Sequence, residues 1–247
     1  MKKKHLITRR AAITTGIAAL GALIIPGCKQ PLPPNYGNIL RMGDNFTYVA
    51  HRALLPGQSL AKEYRTSDIS SMPATGTINP ADTSKAYFSE SYDRLLHTGF
   101  ENWQLSVEGL VARPTNYSLN QLKSFPARTQ ITRHTCEEGW TAIAEWTGLP
   151  LGTLLEHVGI SPKARWVNFY SYDGWLDSID LLDAFHPQTL LAYGMNGKNL
   201  SIPHGAPLRL RLEKQIGFKS MKYLERIVVS EEYIDPGDIG WAWYNGI

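Results

Sequence analysis

The chain has 247 residues, of which 43% are hydrophobic and 19% are charged. This composition is typical of a folded globular protein and excludes an intrinsically disordered one. The formal net charge is +3, but residues 1–27 contain five basic residues and no acidic one, which leaves 20 basic and 22 acidic residues in the rest. No nucleic-acid partner is expected, because the positive charge that would neutralise phosphates is confined to this leader. The two cysteines are too few for a disulfide framework.

Residues 1–27 are predicted to be an export signal. A basic start precedes a mostly apolar stretch at residues 11–25, which is too short to cross a bilayer as a helix of about 20 residues. Within the basic start, Thr8-Arg9-Arg10 resembles the core of a twin-arginine signal, which directs the export of proteins that are already folded. The alternative is a basic segment in which two arginines are adjacent by chance.

Residues 25–28 resemble a lipoprotein cleavage box, in which Cys28 becomes the lipidated first residue. Such an anchor would hold the exported protein at a membrane on the periplasmic side, whereas an unmodified cysteine would not. Residues 28–38 contain three prolines and predict an extended tether. We expect a single domain at residues 39–247, where no repeat or low-complexity segment divides the chain.

Short predicted elements follow one another along the rest of the chain. Residues 64–87 are rich in small and polar residues and predict a long irregular connection, which is usually functional or mobile. Strands are predicted at residues 103–111, 130–132, 166–172, 208–212 and 226–230, and short helices at residues 118–123 and 151–158. Because strands and helices do not alternate regularly, the pattern favours an α+β fold over a doubly wound sheet. No GxGxxG, P-loop or HExxH sequence is present.

Cys136 follows a predicted strand and lies close in sequence to Arg133 and His134. A thiolate binds soft metals or attacks carbon, and neighbouring cations stabilise it. A lone cysteine is more often a small buried hydrophobic residue. A zinc site is disfavoured because no CxxC or HxxxH pair accompanies it, and a thiol enzyme with His134 as its base would lack a third, orienting group.

A second segment carries cationic donors that suit an anionic ligand. Residues 202–211 contain Arg209, and residues 217–222 contain Lys219 and Lys222. A solvated basic strand edge is the alternative for any single lysine.

Four sequence motifs together resemble the molybdopterin-binding domain of the sulfite oxidase family, especially its exported bacterial members. The motifs are TRHTCEEGW, EWTGLPLGTLL, HGAPLRL and GFKSMK. The resemblance covers roughly residues 103–230. It implies a sulfite oxidase-type fold with mixed sheets and short helices. It also implies a molybdopterin cofactor that carries one molybdenum, with the thiolate of Cys136 as the protein's ligand to the metal.

The resemblance further implies a set of site residues. Its pterin contacts correspond to Ser171, His204, Arg209, Ser220, Met221 and Lys222. More loosely, residues 45–52 are similar to an early cofactor-contacting stretch, which adds His51 and Arg52. Glu138 and Trp140 match the CxEAW pattern of methionine sulfoxide reductases, whereas sulfite oxidases tend to have CxGNR. The predicted catalytic set is Cys136, Glu138 and Arg133.

A centre of this kind would move an oxygen atom between water and a small substrate. Sulfite needs a cationic pocket, to which Arg133 and His134 could contribute, while an uncharged sulfoxide suits the aromatic side chains Trp140, Tyr172 and Trp175. The sequence leaves both substrates open. Electrons would pass through a separate partner, such as a c-type cytochrome or a membrane haem subunit. The rival hypothesis is a non-catalytic binding lipoprotein that kept the fold without the metal, and the retained thiol argues against it.

Overall fold

The computed structural model describes residues 59–234 and, before them, three helical positions at Phe46, Ala50 and Leu54. The described residues belong to one compact unit, Asp44–Ile247. The predicted export signal, lipoprotein box and tether lie outside the described residues, as do His51 and Arg52. No helix among the described residues is long and apolar enough to span a membrane.

In the described part of the chain, ten strands form two sheets of five. Their bounds are β1 Gln104–Gly109, β2 Thr115–Ser118, β3 Arg128–Thr135, β4 Thr141–Pro150, β5 Trp166–Ser171, β6 Leu176–Asp180, β7 Leu190–Met195, β8 Lys198–Asn199, β9 Arg209–Arg211 and β10 Leu224–Ser230. The first sheet has the order β2-β1-β10-β5-β6, and its β1 and β10 are parallel while its other pairs are antiparallel. The second has the order β3-β4-β7-β8, with β9 also paired to β7, and is antiparallel throughout.

The helices of the described chain are short. They are α1 Glu90–His97, α2 Leu119–Ser124, α3 Leu151–Val158 and α4 Leu181–Ala184, with 3-10 turns at Thr66–Asp68, Ile202–His204 and Gly217–Lys219. The Ser118 hydroxyl accepts from the backbone N–H of Gln121, and the Gln121 side chain accepts from the N–H of Ser118 at 2.8 Å, so α2 begins with a capping box. The two predicted helices are confirmed, and so is the α+β class.

The main hydrophobic core joins both sheets to α3. It includes Leu105 of β1, Leu149 of β4, Leu154 of α3 and Phe169 of β5, all fully buried. A smaller cluster on the other side of β4 is centred on Trp146. Since β4 contributes to both clusters, it fixes the second sheet against the rest of the fold, and its neighbour β3 is held with it.

Candidate active site

A pocket of about 170 Å³ opens where loops from both sheets converge. It is lined by residues 72–77 of the long connection, by the end of β3 and the turn after it, by Asp173 and Trp175 between β5 and β6, and by parts of residues 203–209 and 217–222. The sequence predicted an irregular connection at residues 64–87, and the structure places part of it on this pocket.

Cys136 lies at the start of the turn that follows β3. Its backbone N–H donates to the carbonyl of Trp140 at 2.9 Å, and its carbonyl accepts from the N–H of Gly139 at 3.1 Å. These bonds form a tight turn, and the thiol lines the pocket while the residue is only 6% exposed. Burial raises the pKa of the Cys136 thiol, and the nearby carboxylate of Glu137 adds to the increase.

Two carboxylates of the same turn are held by hydrogen bonds. The Glu137 carboxylate accepts from the Cys136 thiol at 3.5 Å and from the backbone N–H of Phe218 at 3.0 Å. The Glu138 carboxylate accepts from the indole N–H of Trp140 at 3.1 Å. The Cys136 turn can approach the GFKSMK turn because residue 217 is glycine: a Cβ there would lie 2.8 Å from Nε2 of His134.

His134 faces the pocket from β3 and is 4% exposed. Its ring lies 5.5 Å from that of Trp140. Burial and the positive charges of nearby arginines lower the pKa of His134 to about 2, so the imidazole is neutral at physiological pH.

Two buried polar atoms of pocket-lining residues have no hydrogen-bond partner within the described part of the chain. They are Nδ1 of His134 and Nε1 of Trp175. Leaving such atoms unpaired costs about 1–3 kcal/mol each. A ligand with hydrogen-bonding groups would satisfy them, so the pocket has the character of a binding site.

Arg209 and His204 also line the pocket, and they belong to the HGAPLRL segment, which is far from the Cys136 turn in sequence. The Arg209 guanidinium donates to the carbonyls of His204 at 3.0 Å and Ser220 at 2.7 Å. Burial lowers the pKa of Arg209 to about 9, and burial also lowers the pKa of His204. Arg209 therefore stays charged at neutral pH and joins the two segments that the sequence predicted to hold an anionic ligand.

Lys222 joins the long connection to the pocket. Its ammonium donates to the carbonyls of Thr75 at 2.9 Å and Pro203 at 3.1 Å, and also to that of Thr77. Burial and the neighbouring Arg209 lower the pKa of Lys222 to about 7. Because Gly205 packs directly on the Lys222 side chain, a Cβ at that position would lie 2.9 Å from its Cβ.

The other predicted pterin contacts have different roles in the geometry. Met221 and Ser220 line the pocket and are almost fully buried. Ser171 does not line it, but its hydroxyl lies within hydrogen-bond distance of the carboxylate of Asp173 and the carbonyl of Trp175, and thereby holds the turn that does. The pocket therefore brings together Cys136, Glu138, His204, Arg209, Ser220, Met221 and Lys222.

Arg133 requires a correction. It was included in the catalytic set, but its exposed side chain lies outside the pocket, with its guanidinium 5.4 Å from the centre of the Tyr64 ring. Side chains alternate between the two faces of a strand, so Arg133 and His134 point in opposite directions on β3. Lys219 also lies off the pocket, since its buried ammonium pairs with Asp177 at 2.6 Å. Tyr172, considered as part of an aromatic pocket, instead contacts Tyr92, with ring centres 5.7 Å apart.

Sequence reasoning missed three contributions to the pocket. Residues 72–77, Glu137 and Asp173 all line it. The signal available was the unusual length of the irregular connection, because long loops in a compact domain are often functional. Glu137 could have been found from its position beside Cys136.

The sequence model of the family described as "Oxidoreductase molybdopterin binding domain" matches residues 94–236. The chain belongs to this family. The family's cofactor is molybdopterin with its molybdenum, so the chain is a member of the molybdopterin-binding oxidoreductases, as predicted. The described residues contain no group of three or more His, Cys, Asp or Glu side chains that could hold a metal by themselves, and a single thiol in a pocket suits a metal whose other ligands come with the cofactor.

Relatives of this molybdopterin-binding chain include named reductases. A protein of Azospira oryzae, named as a protein-methionine-sulfoxide reductase subunit, YedZ1, is 36% identical over 246 residues, which is 98% of this chain and 89% of that protein. The protein-methionine-sulfoxide reductase catalytic subunit MsrP of Ralstonia nicotianae is 35% identical over 141 residues, covering 51% of this chain and 43% of that protein. The MsrP of Xanthomonas campestris is 36% identical over 159 residues, or 58% of this chain and 48% of that protein. The chain thus spans about half the length of these MsrP relatives.

Among solved structures, the sulfane dehydrogenase SoxCD of Paracoccus pantotrophus shares the fold. The TM-score is 0.52 at 22% identity, and the match covers 54% of this chain and 39% of that one. Together with the family match, this similarity confirms the sulfite oxidase-type fold of the molybdopterin-binding domain.

The residues of the pocket fit the family's cofactor. The buried thiol is a soft ligand for the metal, and the cationic side chains suit a phosphate. The unpaired Nδ1 of His134 and Nε1 of Trp175 can form hydrogen bonds with polar groups of the cofactor.

Proposed function

We propose that this chain is an exported, molybdopterin-dependent reductase that removes the oxygen atom from sulfoxides. The observation that carries the proposal is one pocket in which the Cys136 thiol and the Glu138–Trp140 pair share space with Arg209 and Lys222. Relatives named as methionine sulfoxide reductases support the substrate class.

The residues that would hold the cofactor follow from their chemistry. Cys136 Sγ would be the protein's ligand to molybdenum, since a thiolate is a soft ligand. His204, Arg209 and Lys222 would hold the anionic phosphate of the pterin, next to the backbone of Ser220 and Met221. When bound, the cofactor supplies two-electron oxygen-atom transfer at its metal.

The chain's own residues would orient the substrate and handle protons. Reduction of a sulfoxide consumes two protons and two electrons and yields a thioether and water. The Glu138 carboxylate, fixed by the Trp140 indole, is positioned to accept and deliver a proton at the pocket. Trp140 and Trp175 offer a neutral aromatic wall for an uncharged sulfoxide. The electrons would come from a separate partner, such as a c-type cytochrome or a membrane haem subunit.

Sulfite is a less suitable substrate for this pocket. The cationic site expected for sulfite rested on Arg133 and His134, but the Arg133 side chain lies outside the pocket and the low pKa of His134 keeps its imidazole neutral. A sulfur oxyanion would therefore meet no cationic pair on β3. The alternative of a binding lipoprotein without metal is not favoured, because the thiol and the phosphate-type donors are both retained.

The test is the molybdenum content of the purified protein. The full chain, with its leader, is expressed in a molybdenum-replete host and analysed for metal alongside Cys136→Ser and a control, Thr135→Ser, at the exposed neighbouring residue. We expect near-stoichiometric molybdenum in the wild type and control, and at least a tenfold loss of sulfoxide reduction in Cys136→Ser.

The same preparations are then assayed with methionine sulfoxide and with sulfite, using artificial electron donors and acceptors. Folded wild-type protein without molybdenum would contradict the proposal. Turnover of sulfite alone would contradict its substrate class.

A further inference from the structure

The charges around the pocket are unevenly distributed. Glu137 and Glu138 lie on the Cys136 turn, and Asp173 lines the pocket as a third carboxylate. The charged bases that line it are Arg209 and Lys222, and their donors are engaged by backbone carbonyls. Two of the three lining carboxylates therefore lie on the same turn as the thiol, whereas both bases lie on other segments.

Glu137 lies directly beside the thiol of the expected reacting centre. Its Oε2 atom lies 3.5 Å from Sγ of Cys136 and is fixed by the backbone N–H of Phe218 at 3.0 Å. The residue is exposed, so the carboxylate also faces solvent where a substrate would arrive. Independently, the pocket carries the unpaired Nδ1 of His134, a residue that is 4% exposed, which points to a ligand in the same space.

We propose that Glu137 determines specificity, so that the site favours sulfoxides next to a positive charge and disfavours anionic substrates. The inference rests on the proposed function and names the substrate class more narrowly. A suitable substrate is a methionine sulfoxide beside a lysine, an arginine or a free amine. A substrate that has a carboxylate in place of this positive charge is repelled by Glu137, because like charges within several ångströms of each other raise the energy of the complex.

The test compares three sulfoxides of similar size that differ in charge. They are N-acetylmethionine sulfoxide, with charge −1, its neutral methylamide, and methionine sulfoxide methylamide with a free amine, with charge +1. The molybdenum-loaded wild type is compared at low salt with Glu137→Gln and with a control, Glu156→Gln, which removes an exposed carboxylate of α3 outside the pocket.

We expect kcat/KM in the wild type to follow the order cationic, neutral, anionic. The ratio of cationic to anionic kcat/KM should fall about tenfold in Glu137→Gln. One exposed charge changes the attraction of the cationic substrate and the repulsion of the anionic substrate by up to about fivefold each. The ratio should stay at the wild-type value in Glu156→Gln. The glutamine side chain of Glu137→Gln can still accept the hydrogen bond from the Phe218 N–H. In a second variant, Glu137→Lys, the preference for cationic over anionic substrates should reverse.

A binding measurement tests the inference separately from turnover. Dissociation constants of the three corresponding thioethers are measured by calorimetry with the same molybdenum-loaded proteins. If the loaded enzyme reduces no sulfoxide, the proposed function is wrong, and the thioether affinities still decide the role of Glu137. A charge preference that is absent in the wild type, or that persists unchanged in Glu137→Gln, would overturn the inference.

Discussion

His186 is held through both nitrogens of its ring. Its Nδ1 accepts from the backbone N–H of Gln188 at 3.3 Å, and its Nε2 lies 3.0 Å from the carbonyl of Ser59. An imidazole that accepts at Nδ1 and donates at Nε2 is neutral. A second proton at Nδ1 would break the bond to Gln188. Burial lowers the pKa of His186, in keeping with this arrangement.

We expect this histidine to make the protein sensitive to acid. Its pKa in the folded state lies below the unfolded value of about 6.5, so the unfolded chain binds the extra proton first as the pH falls. The free energy of unfolding should therefore decrease below about pH 6.5, by up to about 1.4 kcal/mol per pH unit. Urea unfolding of the metal-free protein at pH 7.5 and pH 5 measures this decrease.

His186→Gln should lose less stability between these two pH values than the wild type. His97→Gln, at an exposed position in α1, should behave like the wild type. Equal losses in all three proteins would mean that His186 is protonated in the folded state as easily as in the unfolded one.

At the scale of elements, the long connection acts as a strap across the pocket. Its beginning is fixed by two hydrogen bonds between Ser70 and the backbone of Ile143 in β4. Its middle is fixed by the Lys222 ammonium and by the hydroxyl of Tyr223, which donates to the Thr77 carbonyl at 3.0 Å. Residues 72–77 therefore stay over the pocket without secondary structure of their own.

Lys222→Met should loosen this strap. The variant loses the ammonium's hydrogen bonds to three carbonyls, and bonds to a charged group contribute about 1.5–3 kcal/mol each. We expect cleavage within residues 72–77 of the metal-free protein by a nonspecific protease to become at least tenfold faster. Lys198→Met, at the exposed end of β8, is the control. Unchanged cleavage in Lys222→Met would mean that Tyr223 and Ser70 are enough to hold the strap.

Local signals explain which elements could be predicted. The helix at residues 118–123 carries its own cap, and the helix at residues 151–158 ends at Gly159, whose φ is 72°. β4 was missed because its buried face begins with the small residues Ala142 and Ala144, which give little hydrophobic alternation. The parallel pairing of β1 with β10 joins segments about 120 residues apart, and no local pattern encodes it.

Local sequence signals also explain which residues of the site could be predicted. The residues around Cys136, Arg209 and Lys222 were found because they lie in motifs that can be recognised without a structure. Residues 72–77 and Asp173 lie in loops, where neither periodicity nor a motif indicates what the side chains contact. Arg133 was misplaced because a motif gives the sequence neighbourhood of a side chain but not the face of the strand on which it lies.

At the scale of the whole molecule, the relation to the Azospira protein extends over 98% of the chain, whereas the family model matches residues 94–236. The segment before the match contains the predicted signal and lipoprotein box. We propose that this segment delivers the domain to a membrane on the periplasmic side, through lipid at Cys28.

Exchanging each cysteine in turn tests this proposal. In fractionated cells, the wild type and Cys136→Ser should be recovered with membranes, and Cys28→Ser should move mostly to the soluble exported fraction, because acyl chains supply the membrane affinity. Incorporation of labelled fatty acid should be lost in Cys28→Ser alone. Membrane recovery without any label would indicate that Cys28 is not lipidated.

The position of β10 determines when the domain can be completed during synthesis. It is the last strand of the described chain, yet it lies in the middle of its sheet, between β1 and β5. The GFKSMK turn comes immediately before it. While the ribosome is still making residues 217–230, neither the sheet nor the pocket can close, because long-range pairing must wait for both partners. We therefore expect the cofactor to bind only after residues 217–230 have been synthesised.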